Sequence, residues 1–141
     1  MGKPGKPLTI GSTVLGVADV AQARDFWTAA LGYVPRDAEP DDTWTVLVPP
    51  DGAGAQLSLM LSDTPPQARP RVHLDLYATD QAAEISRLTG LGARVVGDWP
   101  GYTDDSDFVV LEDPDGNRFC VVTPSSLTWP PRTNDATVPR P

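Results

Sequence analysis

The chain of 141 residues is long enough for one domain or for two small modules, and 40% of its residues are hydrophobic, so it can bury a core. Its 19 acidic and 11 basic residues give a net charge of −8, which argues against binding to nucleic acid or to anionic membranes. The single cysteine, Cys120, rules out an internal disulfide and a cysteine-based zinc cluster. No signal-peptide pattern is present and no apolar run approaches the roughly 18 residues of a membrane span, so we expect a cytoplasmic protein.

The chain starts with a flexible arm, followed by a strand and a helix. Residues 1–7 are rich in Gly, Pro and Lys and predict the arm. Residues 8–17 have the composition of a strand, and Asp19 is placed to cap a helix. Gly32 stands where that helix ends. Apolar residues at three- and four-residue spacing predict the helix itself: Val20, Ala23, Phe26, Trp27, Ala30 and Leu31.

Three more strands complete a first module over residues 8–61. They are predicted over 33–35, 43–48 and 55–61, and the last two form a hairpin. Residues 62–70 contain three prolines and few apolar side chains, so they predict a linker.

The same order of elements repeats after the linker, in a second module over 71–123. Residues 71–77 predict a strand, and Asp80 caps a helix that runs through Leu88. Residues 124–141 hold five prolines and predict a tail without a helix. The remaining strands of this module are predicted over 93–96, 107–111 and 118–122.

A turn cluster, Asp113-Pro-Asp-Gly116, joins the last two strands into a hairpin. By alternation, Arg118, Cys120 and Val122 share one face of the closing strand, and we expect that face to line a cavity. The hairpin therefore indicates where a site can lie.

The two modules can be superposed, because each has the order βαβββ. Ser12 then falls on His73, both seven residues before a capping Asp, and Gln56 falls on Cys120 in the closing strands. The sequence predicts an α+β fold built from two such modules.

The Asp-capped helices ending in Leu-Gly and the segment Asp-Pro-Asp-Gly-Asn-Arg-Phe-Cys resemble the vicinal oxygen chelate superfamily of glyoxalases, bleomycin resistance proteins and extradiol dioxygenases. The pairing of Val72-His-Leu-Asp-Leu76 with Gly-Asn-Arg-Phe-Cys is most similar to small glyoxalase-like domains of uncharacterised function. The resemblance covers about residues 8–123. It implies an open, cupped, eight-stranded mixed sheet with helices on its outer face, a ligand site in the cup and a homodimer.

The resemblance also implies where a metal would bind in the metal-dependent members of the family. The four ligand positions fall on Ser12, Gln56, His73 and Cys120. Only His73 keeps a usual metal-binding side chain, and Cys120 with His73 makes at most a two-ligand site. We therefore expect no divalent metal and no other cofactor.

His73, the only histidine, is the candidate catalytic residue, because imidazole suits acid–base chemistry near neutral pH. It alternates with Asp75 and Tyr77 on one strand face. The alternative is a half-buried histidine bonded across the sheet to Cys120 or Gln56. Cys120 is either a thiolate activated by His73 or, as we favour, a buried and inert thiol.

Aromatic residues supply the walls of the expected cup, although core packing or a dimer interface would explain them equally well. Net negative charge favours an uncharged or cationic ligand, but Arg118 on the cup-facing register could instead select a carboxylate or phenolate. The aromatic candidates are Trp44, Trp99, Tyr102 and Phe108.

The function that these features favour is binding of a small, partly aromatic molecule without the usual catalytic metal. The alternative is a lyase, isomerase or dioxygenase of the glyoxalase type with a non-standard site around His73, and a third possibility is a protein-interaction domain. The candidate ligand-binding residues are Ser12, Trp44, Gln56, His73, Trp99, Phe108, Arg118 and Cys120.

Overall fold

A computed structural model describes residues 5–39, 41–103 and 105–124. The chain divides between Thr64 and Pro65 into two compact units, and each unit holds one four-stranded sheet and one helix. Among the described residues, no helix has the length and apolarity needed to cross a bilayer.

The first module has one helix and four strands, and its sheet has the order β1-β4-β3-β2. β1 lies parallel to β4, and the other neighbours are antiparallel. The elements are β1 (Ser12–Val17), α1 (Val20–Leu31), β2 (Val34–Pro35), β3 (Trp44–Val48) and β4 (Gln56–Leu61).

Helix α1 has the predicted bounds, and local chemistry explains both ends. The Asp19 carboxylate accepts a hydrogen bond from the Gln22 backbone N–H at 3.0 Å, which satisfies one of the free donors of the first turn. Gly32 ends the helix with a φ of 68°, a left-handed conformation that costs glycine little. The apolar stripe of α1 is buried against the sheet and includes Phe26 and Trp27.

The second module repeats this arrangement with the sheet order β5-β8-β7-β6 and a parallel pair between its first and last strands. Asp80 caps its helix by accepting from the Ala83 N–H at 3.1 Å. The elements are β5 (Asp75–Tyr77), α2 (Gln81–Gly90), β6 (Arg94–Val95), β7 (Phe108–Glu112) and β8 (Arg118–Val122). The predicted fold class, α+β with two βαβββ modules, is confirmed.

The turn between β7 and β8 is built around Asp113, which is 1% exposed. Its carboxylate accepts from the backbone N–H groups of Asp115 and Asn117 at 3.0 and 2.9 Å. Gly116 has a φ of 94° and donates its N–H to the Asp113 carbonyl at 2.9 Å. The predicted hairpin turn is confirmed, and a buried side chain holds it.

Two predicted strands are wrong at their starts. β1 begins at Ser12 rather than residue 8, and Leu8 and Ile10 are exposed. β5 begins at Asp75 rather than residue 71, so His73 precedes the strand. An apolar pattern cannot make a strand where no neighbouring strand supplies hydrogen bonds. The boundaries of the arm, the linker and the tail stay predictions, and the tail from 125 onward lies outside the described residues.

The Asp113 contacts predict a measurable loss of stability in Asp113→Ala. Two partly buried N–H groups lose their acceptor, so we expect the free energy of unfolding to fall by about 1–3 kcal/mol. Urea unfolding followed by circular dichroism measures this change. Asp113→Asn keeps an acceptor oxygen and should lose less; equal losses in the two variants would contradict the hydrogen-bond explanation.

Candidate functional site

Three side chains that can act as metal ligands or as acids and bases converge in the second module: His73, Asp75 and Cys120. His73 Nε2 lies 3.0 Å from Asp75 Oδ1, and one ligand atom from each of the three residues lies within 4.8 Å of the others. The His73 and Asp75 side chains are 43% and 50% exposed, whereas Cys120 is 7% exposed. The cluster has a buried sulfur and two polar groups open to solvent.

Strand pairing explains the convergence. Asp75 opens β5 and is the register partner of Cys120 in β8, and the Cys120 N–H donates to the carbonyl of Leu74 at 2.9 Å. His73 stands two residues before Asp75 in the chain. The superposition based on the capping Asp had matched His73 with Ser12; strand register places Asp75, rather than His73, beside Cys120.

The environment of Cys120 keeps its thiol protonated. Burial, and then the negative charge of Asp75 and a hydrogen bond to that carboxylate, raise the pKa of Cys120 to about 11. Burial penalises the thiolate, and the neighbouring carboxylate repels it. These effects support the buried, inert thiol over the activated thiolate in the metal-free protein.

A cavity of about 430 Å³ opens over this cluster, and we call it the second-module cavity. His73, Asp75 and Cys120 belong to its lining. A further carboxylate, that of Asp107, also lines it. Its aromatic walls are Tyr77, Trp99 and Phe108.

Two of these aromatic residues, Trp99 and Phe108, are held in place by the core of the second module. Trp99 and Phe108 pack against the buried residues Val110 and Cys120. Tyr102, which the sequence suggested as a wall, serves the scaffold: its hydroxyl donates to the Val96 carbonyl at 2.9 Å and accepts from the Val110 N–H at 2.7 Å.

Arg118 lies outside the lining of the second-module cavity. Its guanidinium donates to the Ala68 carbonyl at 2.6 Å and to Glu112 Oε1 at 3.3 Å. The same group stands 5.9 Å from the centre of the Trp99 ring, within the range of a cation–π contact. Arg118 therefore has local hydrogen-bond partners, and it contacts the wall residue Trp99 rather than the interior of the second-module cavity.

Three predicted site residues belong to the first module. Ser12 is the register partner of Gln56, and the Ser12 and Ser58 hydroxyl oxygens are 2.6 Å apart. Trp44 pairs with Met60 and is 39% exposed. Their part in ligand binding stays a prediction.

Sequence reasoning missed Asp75, Tyr77 and Asp107 as site residues. The signal for the first two was present, because they alternate with His73. The spacing to Asp80 assigned the family's ligand position on this strand to His73, so Asp75 was not considered. With Asp75, the second module holds a three-ligand group, where the sequence analysis had counted two ligands at most.

The fit of the family's metal site can be judged on its four positions. Ser12 offers a neutral hydroxyl that is already bonded to Ser58, and Gln56 offers a neutral amide. Neither is a preferred ligand of a divalent transition metal. Two of the four positions therefore lack a usual ligand for such a metal.

Comparison with known proteins gives a family and a fold. A family model described as a glyoxalase-like domain matches residues 12–122. Among curated proteins, none matches the chain. Solved structures that share the fold include an antibiotic binding protein, TnmS3 from Streptomyces sp. CB03234, with 28% identity, a TM-score of 0.57, and coverage of 86% of this chain and 100% of that one.

Two further structures extend the comparison. A member of the glyoxalase/bleomycin resistance protein/dioxygenase superfamily from Sphaerobacter thermophilus DSM 20745 has 24% identity and a TM-score of 0.61, over 84% of this chain and 98% of the other. A possible glyoxalase from Bacillus cereus has 21% identity and a TM-score of 0.61, over 82% and 99%.

The raised pKa predicts slow alkylation of Cys120. A shift from 9.0 to about 11 lowers the thiolate fraction at pH 8 roughly a hundredfold. We expect iodoacetamide, with EDTA present, to modify the native protein at least that much more slowly than the protein in urea, and the native rate to rise with pH up to about 11. Mass spectrometry measures both rates, and equal rates at pH 8 would contradict the assignment.

Proposed function

The chain belongs to the glyoxalase-like domain family of the vicinal oxygen chelate superfamily, and we propose that it binds a small, partly aromatic molecule without the family's usual catalytic metal. The observation that carries the proposal is the second-module cavity. Its volume, about 430 Å³, lies in the range of small-molecule sites, about 300–1,000 Å³. A cavity of this size suits a compact ring system.

The lining supports an aromatic ligand with a polar group. Tyr77, Trp99 and Phe108 offer ring surface for stacking. His73 and Asp75 stand at the same cavity, half exposed, and can hydrogen-bond a polar group of the ligand. His73 is the anchor in this proposal.

The charges at the cavity favour an uncharged or cationic ligand. Asp75 and Asp107 are both in the lining, and none of the lining residues that the structure describes is Lys or Arg. Arg118, which could have reversed this preference, is bonded to Glu112 and to Ala68. Aromatic faces also attract cations.

A structural neighbour supports binding without chemistry. TnmS3 is an antibiotic binding protein and shares 28% identity with this chain. The poor fit of Ser12 and Gln56 to the usual metal supports the same proposal, because a binding protein needs no metal. An antibiotic-like molecule is therefore one class of ligand to test.

One observation favours a second candidate, an enzyme of the lyase, isomerase or dioxygenase type. His73 and Asp75 form an imidazole–carboxylate pair at 3.0 Å, an arrangement that can orient a histidine for proton transfer. Mass spectrometry of the ligand after incubation separates the candidates. A product that forms with the native chain but not with His73→Ala would favour the enzyme.

The proposed site predicts that affinity, measured by quenching of tryptophan fluorescence, depends on the charge of the ligand. One ring system carrying an ammonium, a hydroxymethyl or a carboxylate group provides a matched series. We expect the first two to bind at least about tenfold more tightly than the carboxylate. His73→Ala should weaken binding, and Asp107→Asn should weaken the ammonium compound most.

Two variants serve as controls for this titration. Asp63→Asn removes the same charge at an exposed position outside the cavity and should change nothing. Trp99→Phe should remove the quenching while calorimetry still detects binding. Absence of saturable quenching by the whole series would reject the ligand proposal, and a carboxylate preference lost in Arg118→Ala would reject the charge argument.

We also propose that the chain forms a homodimer, as the resemblance to the family implies. By strand register Val14, Trp44 and Met60 share one face of the first sheet. They are exposed by 49, 39 and 44%, and apolar groups grouped on one face favour a partner surface. Sedimentation equilibrium should give twice the 15.1 kDa of one chain. The mass of a single chain at micromolar concentration would contradict the dimer.

A further inference from the structure

We propose that His73, Asp75 and Cys120 bind one zinc ion. This site lies within the second module. It shares His73 and Cys120 with the family's four ligand positions, but its third ligand is Asp75, and it does not use Ser12 or Gln56. It also goes beyond the proposed ligand binding, since it requires no organic molecule.

The three ligand atoms lie close enough together to reach one zinc ion. Zinc bonds of about 2.0–2.3 Å place neighbouring ligand atoms roughly 3.3–3.8 Å apart. In the structure, His73 Nε2 and Asp75 Oδ1 are 3.0 Å apart, and all three ligand atoms lie within 4.8 Å of one another. Shifts of about 1 Å or less in side chains that are half exposed would complete the arrangement.

The donor set is one that zinc prefers. An imidazole nitrogen, a carboxylate oxygen and a thiolate sulfur are its ordinary ligands in proteins. Three protein ligands leave a fourth position open, and here that position faces the second-module cavity, because all three residues line it. Water or a ligand atom can occupy it.

Several constraints hold the three groups together before any ion arrives. The parallel register fixes Asp75 beside Cys120, and the Leu74 carbonyl accepts from the Cys120 N–H. On binding, the sulfur–hydrogen bond of Cys120 breaks, a zinc–sulfur bond forms, and the proton leaves to solvent. The two exposed partners, His73 and Asp75, give the ion its entry route from the cavity.

Direct metal titration tests the site. The full chain is freed of metal with a chelator, and zinc chloride is titrated against a chromophoric chelator. We expect one zinc per chain, with affinity lowered roughly a hundredfold or more in Asp75→Asn and in Cys120→Ser. Cobalt in place of zinc should give a thiolate-to-metal charge-transfer band that Cys120→Ser abolishes.

Asp63→Asn is the matched control, because it removes the same charge at an exposed position outside the cavity, and it should bind zinc as the native chain does. Wild-type affinity in Asp75→Asn, less than one zinc per chain at millimolar zinc, or a cobalt complex without the thiolate band would overturn the proposal. The ligand series above is run with chelator present, so failure of ligand binding and failure of zinc binding are separate results. Circular dichroism of each variant checks that loss of zinc is not loss of fold.

Discussion

Parallel pairing between the first and last strands of a module is the constraint on which the candidate site depends. Parallel neighbours cannot be joined by a tight turn, so a long crossover connection must lie between them in the chain. In this chain a helix and two further strands form that connection. In the second module this pairing sets Asp75 beside Cys120. The site therefore exists only once the whole module has folded.

The site joins groups with very different exposure. Cys120 packs among Val96 and Val110, where burial penalises its charged form, whereas His73 and Asp75 are half exposed. The second-module cavity therefore has an apolar base at Cys120, polar groups at His73 and Asp75, and aromatic rings in its walls. Such a combination favours ligands that carry both a ring and a polar group.

Arg118 illustrates how a correct pattern leads to an incomplete inference. Alternation places it on the same strand face as Cys120, which suggested a role inside the cavity. Its long side chain instead reaches Glu112, its partner across the hairpin, and the Ala68 carbonyl. Local hydrogen-bond partners of a flexible side chain are not visible in strand periodicity.

The sequence alone determined the features that depend on neighbouring residues: the bounds of α1, the caps at Asp19 and Asp80, the Asp113–Gly116 turn and the repeated βαβββ order. It also identified His73 and Cys120. Only the tertiary structure decided where β1 and β5 begin, and that Asp75 completes a cluster with them. Strand starts and register depend on hydrogen bonds to a strand from a distant part of the chain, and no local pattern encodes those bonds.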